Sequence, residues 1–261
     1  MKVVRTVQDV RALLRGSDPG TGLVPTMGAF HAGHRALFDT ARRENELVVV
    51  SLFVNPAQFG DAADLAAYPR DEERDLAIAE AAGVDIVFAP SVGEMYPSGF
   101  QTWVEVEEVS RGGEGDARPG HFRAVATVCL KLFSIVGPDN VYFGQKDAQQ
   151  AAVIQRMVRD LELGPSVRII PTVRDADGLA LSSRNVRLSA DERERALALP
   201  RALAAAAGSD DPVATARSLL NGLAPDYVQV LELRGAKVLA AAARVGSVRL
   251  IDNVVLEGDL E

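Results

Sequence analysis

The chain holds three histidines, and two of them stand three residues apart in His31-Ala32-Gly33-His34. The pair follows the turn Thr26-Met27-Gly28 and opens a stretch of helical periodicity. A helix start offers free backbone N–H groups and the positive end of the helix dipole, which suits a phosphate. Imidazoles placed there can donate hydrogen bonds to a phosphate that gains charge during transfer. The spacing predicts both rings on one helix face. Gly33, without a side chain, leaves room for a flat ring against the backbone. A zinc site would need three or four ligands, and the remaining supply is one histidine, His121, and one cysteine, Cys129. A helix cap with surface histidines is the plainer alternative.

Four further clusters carry usable chemistry. Asn55-Pro56-Ala57-Gln58-Phe59 offers neutral amides suited to the hydroxyls and carboxylate of a small polar substrate, although Asn-Pro is also a common turn former. Arg118-Pro119-Gly120-His121-Phe122-Arg123 reads as an anion-facing loop or a mobile cover, or else as a solvated helix start. Gly144-Gln145-Lys146-Asp147, with Gln149-Gln150 close behind, provides a lysine for a phosphate and a carboxylate for a ribose hydroxyl or a metal. Asp177-Gly178-Leu179-Ala180-Leu181-Ser182-Ser183-Arg184-Asn185 places two hydroxyls and a guanidinium where a triphosphate could use them. It could equally be a polar interdomain linker.

The elements that must position these clusters follow from hydrophobic periodicity. Short β-branched runs at 22–25, 47–54, 84–89, 140–143 and 167–171 read as strands, and 102–107 alternates as a strand with one wet face would. Helices are expected over 32–44, 70–82, 122–136 and 148–163. The run 47–54 is apolar nearly throughout, as in a parallel strand buried on both faces. This alternation predicts an α/β fold, a Rossmann-like doubly wound parallel sheet, over 1–176. The rhythm changes near Asp175-Ala176-Asp177-Gly178. A helix at 190–199, an Ala-rich helical stretch at 202–207 and strands at 227–233 and 247–251 predict a smaller C-terminal α+β domain over 177–261. In an open α/β sheet ligands bind beyond the carboxyl ends of the strands. The clusters at 26–34, 55–58, 144–150 and 181–184 fall after expected strands or at the domain boundary.

Composition bounds the partners. The 261 residues include 28 Lys+Arg against 36 Asp+Glu, a formal charge of −8, which argues against nucleic acid as a partner. The single cysteine excludes an internal disulfide. No apolar run approaches the roughly 18 residues of a membrane span, and the opening residues lack the apolar stretch of a signal peptide. A cytoplasmic protein with small-molecule ligands and no membrane partner is expected.

Taken together, Val24-Pro25-Thr26-Met27-Gly28, His31-x-x-His34, Phe53-Val54-Asn55-Pro56-x-Gln58-Phe59, Tyr68-Pro69-Arg70, Arg118-Pro119-Gly120-His121-Phe122, Tyr142-Phe143-Gly144-x-Lys146-Asp147, Gln149-Gln150, the 177–185 run and Arg249-Leu250-Ile251-Asp252-Asn253 resemble the pantoate–β-alanine ligase family, within the wider HIGH-motif nucleotidyltransferases. The resemblance spans nearly the whole chain. It implies that the carboxylate of D-pantoate attacks the α-phosphorus of ATP, giving pantoyl adenylate and pyrophosphate. The amine of β-alanine then displaces AMP.

The resemblance also implies roles. Met27-Gly28-Ala29-Phe30 and His31-Ala32-Gly33-His34 would form the ATP turn and helix start, with His34 as proton donor and His31 and Lys146 also catalytic. Gly144, Gln145, Lys146, Asp147, Val173, Leu181, Ser182, Ser183 and Arg184 would contact ATP. Gln58 and Gln150 would hold pantoate, Gln58 serving β-alanine as well. Mg²⁺ would accompany the triphosphate, and the chain would form a homodimer. The sequence departs from the family pattern at Gln145, where Glu is usual, at Ala148, where an aromatic is usual, and at Ala124, where Gly is usual. An adenylyltransferase that keeps AMP on its product is the competing enzyme. A nucleotide-binding regulatory protein would be expected to have lost His34 or Lys146, and both are present.

Overall fold

Six apolar runs form one parallel sheet: β1 (Lys2–Val4), β2 (Thr21–Thr26), β3 (Leu47–Leu52), β4 (Ile86–Phe88), β5 (Asn140–Gly144) and β6 (Ser166–Ile170). Their spatial order is β1-β4-β3-β2-β5-β6, with every pairing parallel. The structure is a computed structural model that describes residues 1–15, 20–220 and 222–260. Helices α1 (Val7–Leu14), α2 (Ala32–Glu44), α3 (Ala62–Ala66), α4 (Glu72–Ala81), α5 (Val92–Met95), α6 (Gly113–Ala117), α7 (His121–Val136) and α8 (Ala148–Asp160) connect or flank the strands.

The inner strands β2, β3, β4 and β5 read as largely apolar runs because both faces are covered. Val49 of β3 and Val141 and Phe143 of β5 pack with α1, α7 and α8. Their neighbours Val48, Val50 and Tyr142 point the other way, onto α2 and α4. Helix ends follow local chemistry. Asp71 caps α4 by accepting from the Arg74 N–H, and Gly137, at φ 62°, ends α7 in the left-handed conformation that glycine adopts without strain.

A second, antiparallel sheet comes next in the chain, β7 (Ala224–Leu233), β8 (Ala236–Val245) and β9 (Val248–Glu257), in that order. It lies against α9 (Ala190–Ala196), α10 (Ala198–Ala206) and α11 (Pro212–Leu219). Leu239, Ala241 and Val228 pack onto these helices. Leu233, Ala236 and Val238 instead join the core of α7 and α8, so the small sheet is seated on helices that cover the large one.

Several expectations are corrected. The 102–107 stretch joins no strand ladder among the described residues. Its Val104 N–H goes to Thr127 Oγ1 on α7, and Trp103 lies between Tyr96 and the Arg123 guanidinium. Alternation reports one wet face, and a segment laid along a helix has one too. The helix expected over 190–199 is two, α9 and α10, meeting at Leu197. Pro200 has no N–H to continue the ladder from one into the other. Strand β8 carries no strand signal in the sequence, because its run Ala240-Ala241-Ala242-Ala243 has high helix propensity. Burial between two layers overrides that propensity, and small side chains let the layers approach. The segments β1 and α1 also carry no sequence signal strong enough to assign.

Candidate active site

Strand β2 is where the winding reverses. The chain lays β3 and β4 on one side of it and β5 and β6 on the other. A crevice must open at the carboxyl ends there, because the connections leave in opposite directions. A cavity of about 240 Å³ occupies that place. Its wall takes Met27, His31, Gly33 and His34 from beyond β2, and Asn55 and Gln58 from beyond β3. It takes Gly144, Lys146, Asp147 and Gln150 from beyond β5, and Val173 from beyond β6. Leu181, Ser182, Ser183 and Arg184 close it from the segment leading to the small sheet.

The histidines are arranged differently from a pair on one helix face. His31 is the N-cap of α2, just outside the helix, and its Nδ1 accepts from the Gly33 N–H at 3.1 Å. His34, in the first turn, returns the contact: its Nδ1 accepts from the His31 N–H at 3.3 Å. The helix cap and the predicted histidine pair are therefore the same structure. With both Nδ1 atoms accepting from backbone donors, a neutral ring carries its proton on Nε2. Burial, and then the Lys146 charge, push His31 down to about 4. Burial, then His31 and Lys146, push His34 down to about 3. Both rings are thus neutral Nε2–H donors at pH 7. Gly33 serves the cap directly, since a Cβ there would lie 2.9 Å from His31 Cε1.

His121 has the opposite tautomer. Its Nδ1 donates to the Gln58 carbonyl at 3.0 Å, and its Nε2 accepts from Arg118 at 3.2 Å. Burial, then the Arg118 charge, lower it to about 4. The three rings predict an acid-sensitive fold. Above pH 6.5 they are neutral in both states, so they add no pH dependence. As pH drops through 6.5 toward about 4 for His31 and His121 and about 3 for His34, the unfolded chain takes up protons that the folded chain refuses, and stability falls as pH falls. Urea midpoints across pH 4–7 would show this decline; a flat profile would contradict neutral buried rings.

Gln58 is buried. Its Oε1 accepts from Asn55 Nδ2 at 3.0 Å, its Nε2 points at Met27 Sδ at 3.0 Å, and its carbonyl also takes Arg118 at 3.2 Å. The 118–121 loop thus braces the Gln58 loop rather than hanging free as a cover. The charged side chains on the cavity wall are Arg118, Lys146 and Arg184, with Asp147 as the one carboxylate. Asp147 Oδ2 lies 3.7 Å from Lys146 Nζ. Arg184 meets Asp64 on α3 at 2.8 Å. Cys129 also lines the cavity, but burial pushes its thiol up to about 12, far from a nucleophile.

Not every expected contact residue lines the cavity. Gly28, Ala29, Phe30, Ala32 and Gln145 stand behind its wall. The reason for the first three is Asp75, which sequence reasoning missed. This buried carboxylate of α4 accepts the Ala29 and Phe30 N–H groups, each at 2.7 Å, and holds the turn below His31. Ala29 sits at φ 54° and Gly28 at φ 83°, and a Cβ on Gly28 would stand 2.8 Å from Asp75 Oδ2. The only sequence trace of this role is its closeness to Tyr68-Pro69-Arg70. Among the described residues no group of three or more His, Cys, Asp or Glu side chains could hold a metal, and no helix is long and apolar enough to cross a membrane.

The arrangement matches proteins already known. Residues 2–255 fit the family model described as pantoate-beta-alanine ligase. The pantothenate synthetase of Chloroflexus aurantiacus is 54% identical over 99% of each chain. That of Acetivibrio thermocellus is 46% identical over 98% of this chain and all of its own. The chain belongs to the pantoate–β-alanine ligase family. Pantothenate synthetase from Thermus thermophilus superposes with a TM-score of 0.93 at 45% identity, covering 99% of this chain and 100% of that one. A pantoate–β-alanine ligase from Francisella tularensis, complexed with β,γ-ATP and β-alanine, superposes at 0.87 with 34% identity over the whole of both chains. The family's reaction, ligation of pantoate to β-alanine, is the activity of this chain. The three departures from the family pattern, Gln145, Ala148 and Ala124, all lie off the main cavity wall.

Proposed function

We propose that this chain joins D-pantoate to β-alanine in two steps within the cavity at the carboxyl ends of β2, β3, β5 and β6, using ATP. One observation carries the reading. A single cavity gathers neutral donors (His31 and His34), cations (Lys146 and Arg184) and neutral amides (Gln58 and Gln150). In the first step a carboxylate attacks the α-phosphorus of ATP, and pyrophosphate leaves. Two anions approach each other, so charge must be neutralised where it develops. Lys146 and Arg184 supply charge, and the His31 and His34 Nε2–H groups supply hydrogen bonds. Ser182 and Ser183 add hydroxyls, while Gly144, Val173 and Leu181 shape the nucleotide wall.

Gln58 and Gln150 hold pantoate. Their neutrality matters, because a fixed positive charge on the attacking carboxylate would blunt it. In the second step the β-alanine amine attacks the acyl carbonyl, and AMP leaves. Water must be excluded, since a free acyl adenylate hydrolyses. Residues 177–261 form the smaller domain that serves as a lid over 1–176, and the 181–184 segment fits that task by walling the cavity.

Magnesium bound to a triphosphate keeps much of its shell as phosphate oxygens and water and needs only one or two carboxylates. Asp147, the one carboxylate on the cavity wall, fits that demand. When bound, the ion would neutralise phosphate charge. The chain works as a cytoplasmic homodimer.

The deciding experiment tracks nucleotide products. Sustained formation of AMP and pyrophosphate should require both D-pantoate and β-alanine, whereas ATP and pantoate alone should give no more than one pyrophosphate per site. Steady ADP formation would mean attack at the γ-phosphorus and would overturn the reading. A stable adenylylated product without need of β-alanine would favour the adenylyltransferase alternative.

A further inference from the structure

Strand β9 holds three segments of the parallel-sheet body through one short run, Arg249 to Asn253. Arg249 forms two hydrogen bonds to Glu114, at 2.9 and 2.7 Å. Asp252, buried, takes both Arg174 nitrogens, at 2.7 and 3.0 Å, just after Val173 on the cavity wall. Asn253, also buried, gives one amide hydrogen to the Gln145 carbonyl and the other to the Lys146 carbonyl, each at 2.9 Å.

The third contact is the informative one. Two carbonyl partners identify the amide nitrogen without ambiguity, because carbonyls only accept. The other end, Oδ1, is buried and has no hydrogen-bond partner among the described residues. Donation is therefore what this side chain contributes here. The turn it grips, Gln145–Asp147, has no side-chain cap of its own, and neither does the start of α8 just after it. Lys146 sits in the middle of that turn, and its charge is felt at both His31 and His34.

We propose that Asn253 is a positioning residue for Lys146: a side chain of the C-terminal sheet orients the turn that carries the cavity lysine. The inference rests on the reading of Lys146 as a phosphate donor. It means that the lysine is aimed only while the two sheets are docked. Without Asn253 the two carbonyls lose this amide, the side-chain anchor that ties the turn to β9. A misplacement of about 1 Å at a reacting centre is enough to slow catalysis by up to a hundredfold.

The test is a double-mutant cycle read by single-turnover adenylate formation from ATP and pantoate, with thermal melting alongside. Asn253→Ala and Asn253→Leu should each slow the step roughly tenfold. The leucine variant keeps the buried volume and serves as the folded reference if the alanine variant melts early. In a Lys146→Ala background, adding Asn253→Leu should change the rate by less than about twofold, because the group it positions is gone. A wild-type rate for Asn253→Leu would overturn the inference. So would full additivity on a slow Lys146→Ala background, which would mark the residue as merely structural. If Lys146→Ala itself reacts at the wild-type rate, the role of the lysine falls, and this inference falls with it.

Discussion

Alanine at Lys146 or at His34 is expected to slow adenylate formation by roughly a hundredfold or more, the effect of removing one donor that acts in the transition state. The two variants should differ in stability. Among the described residues the Lys146 ammonium pairs with Asp147 alone, at 3.7 Å, so Lys146→Ala should melt like the parent. His34 also accepts the His31 N–H, so His34→Ala opens one half of the capping box. That loss is worth about 1 kcal/mol, or about 2–4 °C in melting temperature. His34→Gln tests the division of labour, because a glutamine at this helix position can reach back to the N-cap N–H. It should regain stability and only part of the rate. Single-turnover adenylate formation and melting curves check both halves, and a wild-type rate in His34→Ala would remove its assigned role.

Gln150→Ala should raise the pantoate KM by roughly tenfold or more and leave the ATP KM little changed. The argument is one of unpaired groups. A neutral amide that hydrogen-bonds a buried substrate leaves it unsatisfied when truncated, at a cost of about 1–3 kcal/mol. Gln58→Ala should weaken pantoate in the same way and β-alanine use as well. It should keep its backbone contacts, because Arg118 and His121 grip the Gln58 carbonyl rather than its side chain. Titrating each substrate against each variant decides the matter. Weakened ATP binding with pantoate spared in Gln150→Ala would contradict the division of the cavity into nucleotide and acid ends.

The parallel sheet was legible because strands such as β3 are covered on both faces and must be apolar throughout. Cluster positions were legible for a related reason. In a doubly wound sheet, the residues just after a strand lie at its carboxyl end, so linear order already locates Gln58, Lys146 and His34 near one another. Segments whose state depends on what lies against them were not legible. The 102–107 stretch alternates like a strand but lies along α7, and Ala236–Val245 reads like a helix but is the middle strand of a sheet.

By itself the sequence determined the family, the fold class and most of the residue types that the cavity gathers, because each is carried by local pattern or by motifs a few residues long. Tertiary structure alone decided what state those residues are in. The neutral Nε2–H form of His31 and His34 follows from burial and two backbone donors, which no spacing reveals. Asp75 beneath the turn, and Arg249 and Asn253 on β9, reach their partners across separations of 46, 135 and 107 residues. Such contacts leave no periodicity behind. A hydrogen bond needs only a donor and an acceptor at the right distance, and the folded chain alone sets that distance.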